Sequence, residues 1–284
     1  MIRTVAVALV VVALVGALIV LFGRITWRRS TGLLNSRLEA AGLPPSIAAF
    51  DSTEVGNLPP PVRRYFNLAL KQGQPIVTNV VIEHVGTFNM SETGEQWRPF
   101  SSTQRVVTRR PGFVWDGRIE MAPGLPVRVH DAYVAGQGIL KASVLGLLPV
   151  VDKGGTSEMA RGELMRFFAE AAWYPTALLP SQGVSWEAGD ASSARATFMD
   201  GGNVIEMTFV FGDDGMITAV QAEARGRTLG DTIIQTPWEG RWEDYEGRDG
   251  MLVPTRGEVA WLLPTGRRPY WRGRIVDLQY RYAQ

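Results

Sequence analysis

Residues 4–23 form an unbroken run of uncharged positions, most of them Val, Leu, Ala or Ile. As a helix rising about 1.5 Å per residue, the run is roughly 30 Å long, the thickness of a bilayer's hydrocarbon core. Three readings compete for it. A cleaved signal peptide has a shorter apolar stretch and small residues at its cut, whereas this run is longer and ends in Leu21-Phe22-Gly23-Arg24. A buried core helix keeps a polar stripe, and this run has none. An uncleaved transmembrane helix within residues 1–27 fits best. Trp27 falls where an interfacial aromatic anchor is expected. Residues 28–57 then read as a juxtamembrane stalk. Its first part continues as a helix with Leu33, Leu34 and Leu38 on one side, and it leads into Gly42-Leu43-Pro44-Pro45.

From residue 58 the pattern is that of a folded domain, taken here as 58–284. Pro59-Pro60-Pro61 precedes Val62, Tyr65, Phe66, Ala69 and Leu70, one apolar face of a short helix. Strand-like runs follow at 76–82, 102–109, 113–121, 127–134 and 139–147. Turn residues punctuate them at Arg110-Pro111-Gly112 and Pro123-Gly124. One strong helix interrupts them over 157–171, with Ala160, Leu164, Phe167, Phe168 and Ala171 on its apolar face and Thr156 or Ser157 as cap. An apolar segment, Trp173 to Pro180, comes next and must be buried or bind something. Strands resume at 184–188, 194–199, 204–211, 217–224, 232–245, 252–262 and 271–282. No helical pattern alternates with them, so the pairing is antiparallel. The class is α+β. These twelve runs are counted as about ten or eleven strands of one sheet, which is too large to stay flat. It should curl into a half-barrel packed on the 157–171 helix, preceded by the single N-terminal transmembrane helix.

Composition narrows the functional classes. Hydrophobic residues make up 45% of the chain and nine are Trp, ample for a real core. Basic and acidic residues nearly balance, 29 against 28, so nothing demands nucleic acid. The chain has no cysteine, which excludes disulfides, thiolate nucleophiles and Cys-based metal sites. Arg24, Arg28, Arg29 and Arg37 follow the apolar run, against Arg3 before it. That count tilts the domain towards the cytoplasmic side.

Signatures of catalysis are scarce. There is no G-x-S-x-G elbow, phosphate loop or H-E-x-x-H. Neither a metal nor a cofactor is expected. His130-Asp131 is the best catalytic candidate, an imidazole beside a carboxylate. Adjacent strand residues point to opposite faces, though, which favours structural roles for both. Glu163, Arg166 and Glu170 read as a solvated, salt-bridged helix face. Arg267, Arg268, Arg272 and Arg274 around Tyr270 and Trp271 read as a charge-guarded strand edge or a face meeting anionic lipid. The tryptophans fall mostly in strands or beside the helix, which fits either a large core or a lined cavity.

Four blocks carry a resemblance. They are Gly124-Leu125-Pro126-Val127-Arg128-Val129-His130-Asp131-Ala132-Tyr133-Val134, Gly162-Glu163-Leu164-Met165-Arg166-Phe167, Ala172-Trp173-Tyr174-Pro175-Thr176-Ala177-Leu178-Leu179-Pro180, and Thr236-Pro237-Trp238-Glu239-Gly240. Together the chain resembles an uncharacterised bacterial family, a domain of unknown function, over residues 58–282. By element order it is more remotely similar to the lipoprotein-carrier fold of LolA and LolB type. That similarity implies an apolar half-barrel that holds acyl chains, and an extracytoplasmic domain; it brings no catalytic residues.

The expected function is a membrane-anchored, non-catalytic binder of an acyl chain or another apolar cell-envelope ligand. Trp173, Tyr174, Leu178, Trp186, Trp115 and Trp238 are expected to line its site. The expected partner is membrane lipid or a lipid-like molecule. Two alternatives remain open: a hydrolase or isomerase using His130, Asp131 and a Glu, and a structural module that docks another envelope protein.

Overall fold

A computed structural model describes residues 2–230 and 232–283. It opens with one continuous helix, α1 (Ile2–Ala41). Its apolar first half is exposed, and by length and composition alone it is able to cross a membrane. Its second half is not a free stalk. Gly23, Trp27, Leu34 and Leu38 are buried, spaced so that they form one stripe. The stripe lies on strands β2 (Trp97–Val107), β3 (Gly112–Ala122) and β4 (Leu125–Val134). Leu34 and Leu38 pack there with Val107, Val114, Ala132 and Val134 as a small separate core. Leu33, expected beside them, is 69% exposed. Trp27 is buried against the sheet rather than standing free as an interfacial anchor.

Thirteen antiparallel strands form a single sheet among the described residues. The first, β1 (Val77–Asn89), and the last, β13 (Gly266–Tyr282), pair at its centre, with Val80 opposite Tyr280. From β1 the sheet runs outwards through β2, β3, β4 and β5 (Gln137–Val144) to the edge strand β6 (Leu148–Gly154). From β13 it runs through β12 (Met251–Leu263), β11 (Thr232–Arg248), β10 (Ile217–Leu229), β9 (Asn203–Phe211) and β8 (Ser193–Asp200) to the other edge, β7 (Ser185–Ala188). The sequence reading lacks β6. This strand is short and almost wholly exposed, and it carries a proline and two charges, so it has no inward-facing apolar period.

The chain must cross from one edge to the other between β6 and β7. It does so through α3 (Ser157–Ala169) and three short 3-10 turns, Glu170–Trp173, Pro175–Leu178 and Pro180–Gln182. The Thr156 hydroxyl accepts from the Met159 N–H at 3.2 Å and caps α3. The helix touches β3, β4 and β5 on one wing of the sheet and β9 and β10 on the other. One helix of about 10 Å diameter reaches both wings only if the sheet curls around it. The main core fills the concave side, where α2 (Pro60–Ala69), α3 and the 3-10 turns bury Tyr65, Phe66, Phe167, Phe168 and Tyr174. The apolar Trp173–Pro180 segment lies almost wholly buried in this core.

Candidate functional site

The concave side is not filled everywhere. Between α3 and the upper parts of the strands lies a cavity of about 310 Å³. One wall comes from Ile119, Val127, Val129, Leu140, Ala142 and Val151 of β3 to β6. The opposite wall carries Trp238 and Trp242 of β11, Val259 of β12, and Tyr270 and Trp271 of β13. Trp115 and Trp173 complete it, and the exposed side chains of Met90 and Val150 also border it.

A local device shapes the aromatic wall. Trp115, Trp238 and Trp271 each precede a glycine by two residues, at Gly117, Gly240 and Gly273. Residues two apart share a face of a strand. Each indole lies over its glycine, and a Cβ at Gly117 or Gly273 would overlap the ring. The glycines therefore let the rings lie flat on the sheet instead of filling the space above it. The Trp-x-Gly spacing was visible in the sequence and is the signal that could have singled out Trp271.

At the floor sits a dense charged cluster. Arg166 Nη1 donates to Asp131 Oδ2 at 2.6 Å, and its Nε donates to Glu170 Oε1 at 2.8 Å. Gln104 Nε2 donates to Glu170 Oε2 at 2.6 Å. The guanidinium also lies 4.7 Å from the Phe113 ring centre. Arg225 donates to the Gly162 carbonyl and the Tyr270 hydroxyl, both at 3.2 Å, and lies 3.7 Å from Glu163 Oε1. The expected solvated face is thus overturned: Glu163, Arg166 and Glu170 are largely buried, because the curled sheet covers α3 on both sides.

Three carboxyls face two guanidiniums here, which leaves one negative charge in excess. Burial, together with the neighbouring Asp131, pushes the Glu163 carboxyl up to about 8, against the pull of Arg225 and Arg166. Asp131 Oδ1 and Glu163 Oε2 are buried and lack other partners. Raised to about 8, Glu163 keeps its proton at neutral pH and can donate it to the Asp131 side chain, which makes the cluster neutral. The floor therefore presents no free charge to a guest.

His130 lies elsewhere. Its neighbour Asp131 points inwards, while His130 faces the outer surface of β4 beneath α1. The ring stacks on Trp27, with centroids 3.9 Å apart, and its Nε2 lies 2.7 Å from the Thr31 hydroxyl. Asp116 accepts from Trp27 Nε1 at 2.8 Å and from Thr31 Oγ1 at 3.0 Å. Burial pushes the imidazole down to about 4, only partly opposed by the Asp116 carboxylate. The pairing of His130 with inward carboxylates in one active site is corrected by this geometry, since the sheet itself separates them.

The other expected site residues divide evenly. Trp115, Trp173 and Trp238 stand on the cavity wall. Tyr174 and Leu178 are fully buried in the packed core, where the Tyr174 hydroxyl donates to the Phe167 carbonyl at 2.8 Å. Trp186, on the edge strand β7, packs against Phe66 and Phe209. The arginines near Tyr270 do not guard an edge, because β13 is central; Arg267 pairs with Glu239 at 2.7 Å and Arg272 with Glu258 at 2.5 Å.

A thirteen-stranded open antiparallel sheet with α3 in contact with both of its wings places the described residues in the α+β class. The model of a family of unknown function, DUF6920, matches residues 56–280, and the chain belongs to that family. This bears out the resemblance to an uncharacterised family. A search of curated proteins finds no match. Among solved structures, a LolA superfamily protein from Nitrosomonas europaea is similar at 11% identity, over 72% of this chain and 86% of that chain, with a TM-score of 0.32.

Proposed function

We propose that the protein is a membrane-anchored binding protein whose cavity takes an acyl chain or a similarly apolar lipid-derived group. The observation that carries this reading is the cavity itself: apolar and aromatic walls over a floor whose charges neutralise one another. A charged guest would find no unpaired counter-charge there, whereas a hydrocarbon would meet mostly apolar and aromatic side chains, with the Trp173 and Trp242 indole N–H groups buried there without partners. The volume lies at the lower end of the range for ligand sites, about 300–1,000 Å³. Each methylene moved from water to such walls contributes about 0.8 kcal/mol before ordering costs. The exposed apolar half of α1 supports the anchor, and through it a supply of lipid close to the cavity. The hydrolase alternative loses its imidazole, because His130 is sealed on the other face of the sheet.

The test is extraction of lipid from the full chain purified out of its membrane. The unaltered protein should retain acyl lipid after detergent exchange, and Val129→Phe and Ala142→Phe, which fill the cavity, should lose most of it. Equal amounts in all three would show that the lipid is held by α1 alone and would end the proposal.

A further inference from the structure

The docked half of α1 determines which end of the half-barrel faces the apolar run. Gly23 packs on Leu145 and Leu147 in the turn between β5 and β6, so tightly that a Cβ there would overlap the Leu145 carbonyl. Fifteen residues on, about 22 Å along the helix, Leu38 reaches Gly112 at the start of β3. The exposed residues before Gly23 therefore project past the β5–β6 turn and not past the opposite end.

That same end has an unusual surface. Leu148 and Val150 follow the turn and are 66% and 57% exposed. Leu125, also exposed, opens β4 next to the turn, where the Leu145 N–H bonds the Pro126 carbonyl at 3.0 Å. Val150 belongs to both the rim and the cavity wall, as does Met90. The mouth of the cavity is thus bordered by exposed apolar side chains on the side where α1 leaves. The outer face carries a second feature. Arg118 stands directly opposite Arg128 on the neighbouring strand, an unfavourable pairing of like charges. Burial makes the charge of Arg128 costly, and Arg118, Arg24 and Arg28 add to that cost against the pull of Asp116. Glu120 pairs with Arg118 at 2.6 Å, yet Arg118 Nε is buried without a partner. The nearby Asp116 is engaged by Trp27 and Thr31. Four guanidiniums beside a membrane-length helix match the phosphates of anionic lipid headgroups.

We propose that this end of the domain rests on an anionic leaflet. Arg24, Arg28, Arg118 and Arg128 meet lipid phosphates, Leu125, Leu148 and Val150 dip into the interface, and the cavity mouth opens onto the bilayer. The inference rests on reading residues 4–23 as an anchor; it does not depend on what the cavity holds.

The natural absence of cysteine makes the test direct. Leu148→Cys at the rim and Arg110→Cys in the β2–β3 turn at the far end each take an environment-sensitive fluorophore in the full chain. Both are placed in nanodiscs of phosphatidylcholine with or without phosphatidylglycerol. The label at 148 should shift to the blue and lose aqueous iodide quenching when phosphatidylglycerol is present, while the label at 110 stays water-like. Arg118→Gln with Arg128→Gln, or 1 M salt on the unaltered arginines, should return the 148 signal to its value in neutral lipid. A label at 148 that stays wet in both lipids overturns the proposal. So does a blue shift that persists without phosphatidylglycerol or in high salt, since the arginines would then play no part. A shift that follows protein concentration instead of lipid composition would assign the rim to a second copy. Lipid extraction reads the cavity separately: a dry rim with an empty cavity leaves this proposal standing and ends the acyl-chain reading, and a wet rim with a filled cavity does the reverse.

Discussion

His130 and Asp131 are neighbours in the chain and occupy two buried polar sites on opposite faces of one strand. The inner site keeps its charges. Asp131, Glu163 and Glu170 are held by Arg166 and Arg225, and the proton that Glu163 keeps removes the remaining excess. The outer site holds one carboxylate, Asp116, among neutral partners: a neutral imidazole is sandwiched between sheet and α1, stacked on Trp27 and bonded to Thr31. The difference follows from what covers each face. Inside, α3 brings its own polar stripe under a curled sheet, so arginines are at hand. Outside, α1 brings an indole and a hydroxyl, and Asp116 is already bonded to both. Burial alone therefore says little about how a polar group is kept; the chemistry of the covering element decides.

The comparison breaks most sharply at Arg166. Arg166→Ala leaves Asp131 and Glu170 without their guanidinium, and removing one partner of a buried ion cluster costs about 3–5 kcal/mol. Denaturant unfolding in detergent micelles should show a loss of that size. The indole emission should also change, because the guanidinium packs over Trp115 at 5.5 Å. A loss below about 1 kcal/mol, the range of exposed pairs, would mean that the inner cluster is solvated and no different in kind from a surface network.

Much of this architecture could be read from the chain, and the failures have physical causes. The β-branched runs and turn residues marked most of the strands, because an inward face alternating with an outward one leaves a period of two. β6 escaped because Leu148, Pro149 and Val150 are exposed on an edge and carry no such period. The alternation also foretold that His130 and Asp131 would part company. It did not reveal that the polar stripe of α3 would be buried, since Glu163, Arg166 and Glu170 look the same on a solvated helix and on one wrapped by a sheet. Which tryptophans face open space was equally hidden. Tyr174 and Trp173 are adjacent, yet one is locked in the core and the other borders the cavity, a distinction made by tertiary packing. The glycines two residues after Trp115, Trp238 and Trp271 were the overlooked local clue.

Acid should strike the outer site. The folded imidazole of His130 is held near 4, below its ordinary value of 6.5. Its contribution is fully present above 6.5 and is lost as pH falls towards 4, because the unfolded chain gains a proton that the folded one refuses. The expected loss is on the order of 1–3 kcal/mol. His84, pushed down to about 3 by burial, adds with the same sign, so His130→Gln should remove only part of the acid slope. The distinguishing readout is local. Amide exchange over residues 27–38 of α1 should quicken between pH 6.5 and 4 before that of β9 does. If α1 and β9 quicken together, His130 is not what couples the helix to the sheet.

Base should act on the inner site, with the opposite sign. The folded carboxyl of Glu163 is raised to about 8 from 4.5, so the folded chain holds a proton that the unfolded chain has released. Its contribution is fully present below 4.5 and declines as pH rises through 8, the opposite sign to His130. Glu163→Gln mimics the protonated acid, keeping a donor for Asp131 and an acceptor for Arg225. The variant should match the parent within about 0.5 kcal/mol near pH 5, the scale of a substitution that preserves its contacts. Its advantage should grow from pH 5 upwards and level off above pH 8. Stability measured from pH 5 to 9 in parent and variant separates this from a plain ion pair with Arg225. An ion pair would make Glu163→Gln less stable at every pH above 5, because it would delete a charge that Arg225 needs. Divergence of the two curves with rising pH is thus the signature of a protonated Glu163, and parallel curves would return Glu163 to the ionised form and leave the floor of the cavity with a net negative charge.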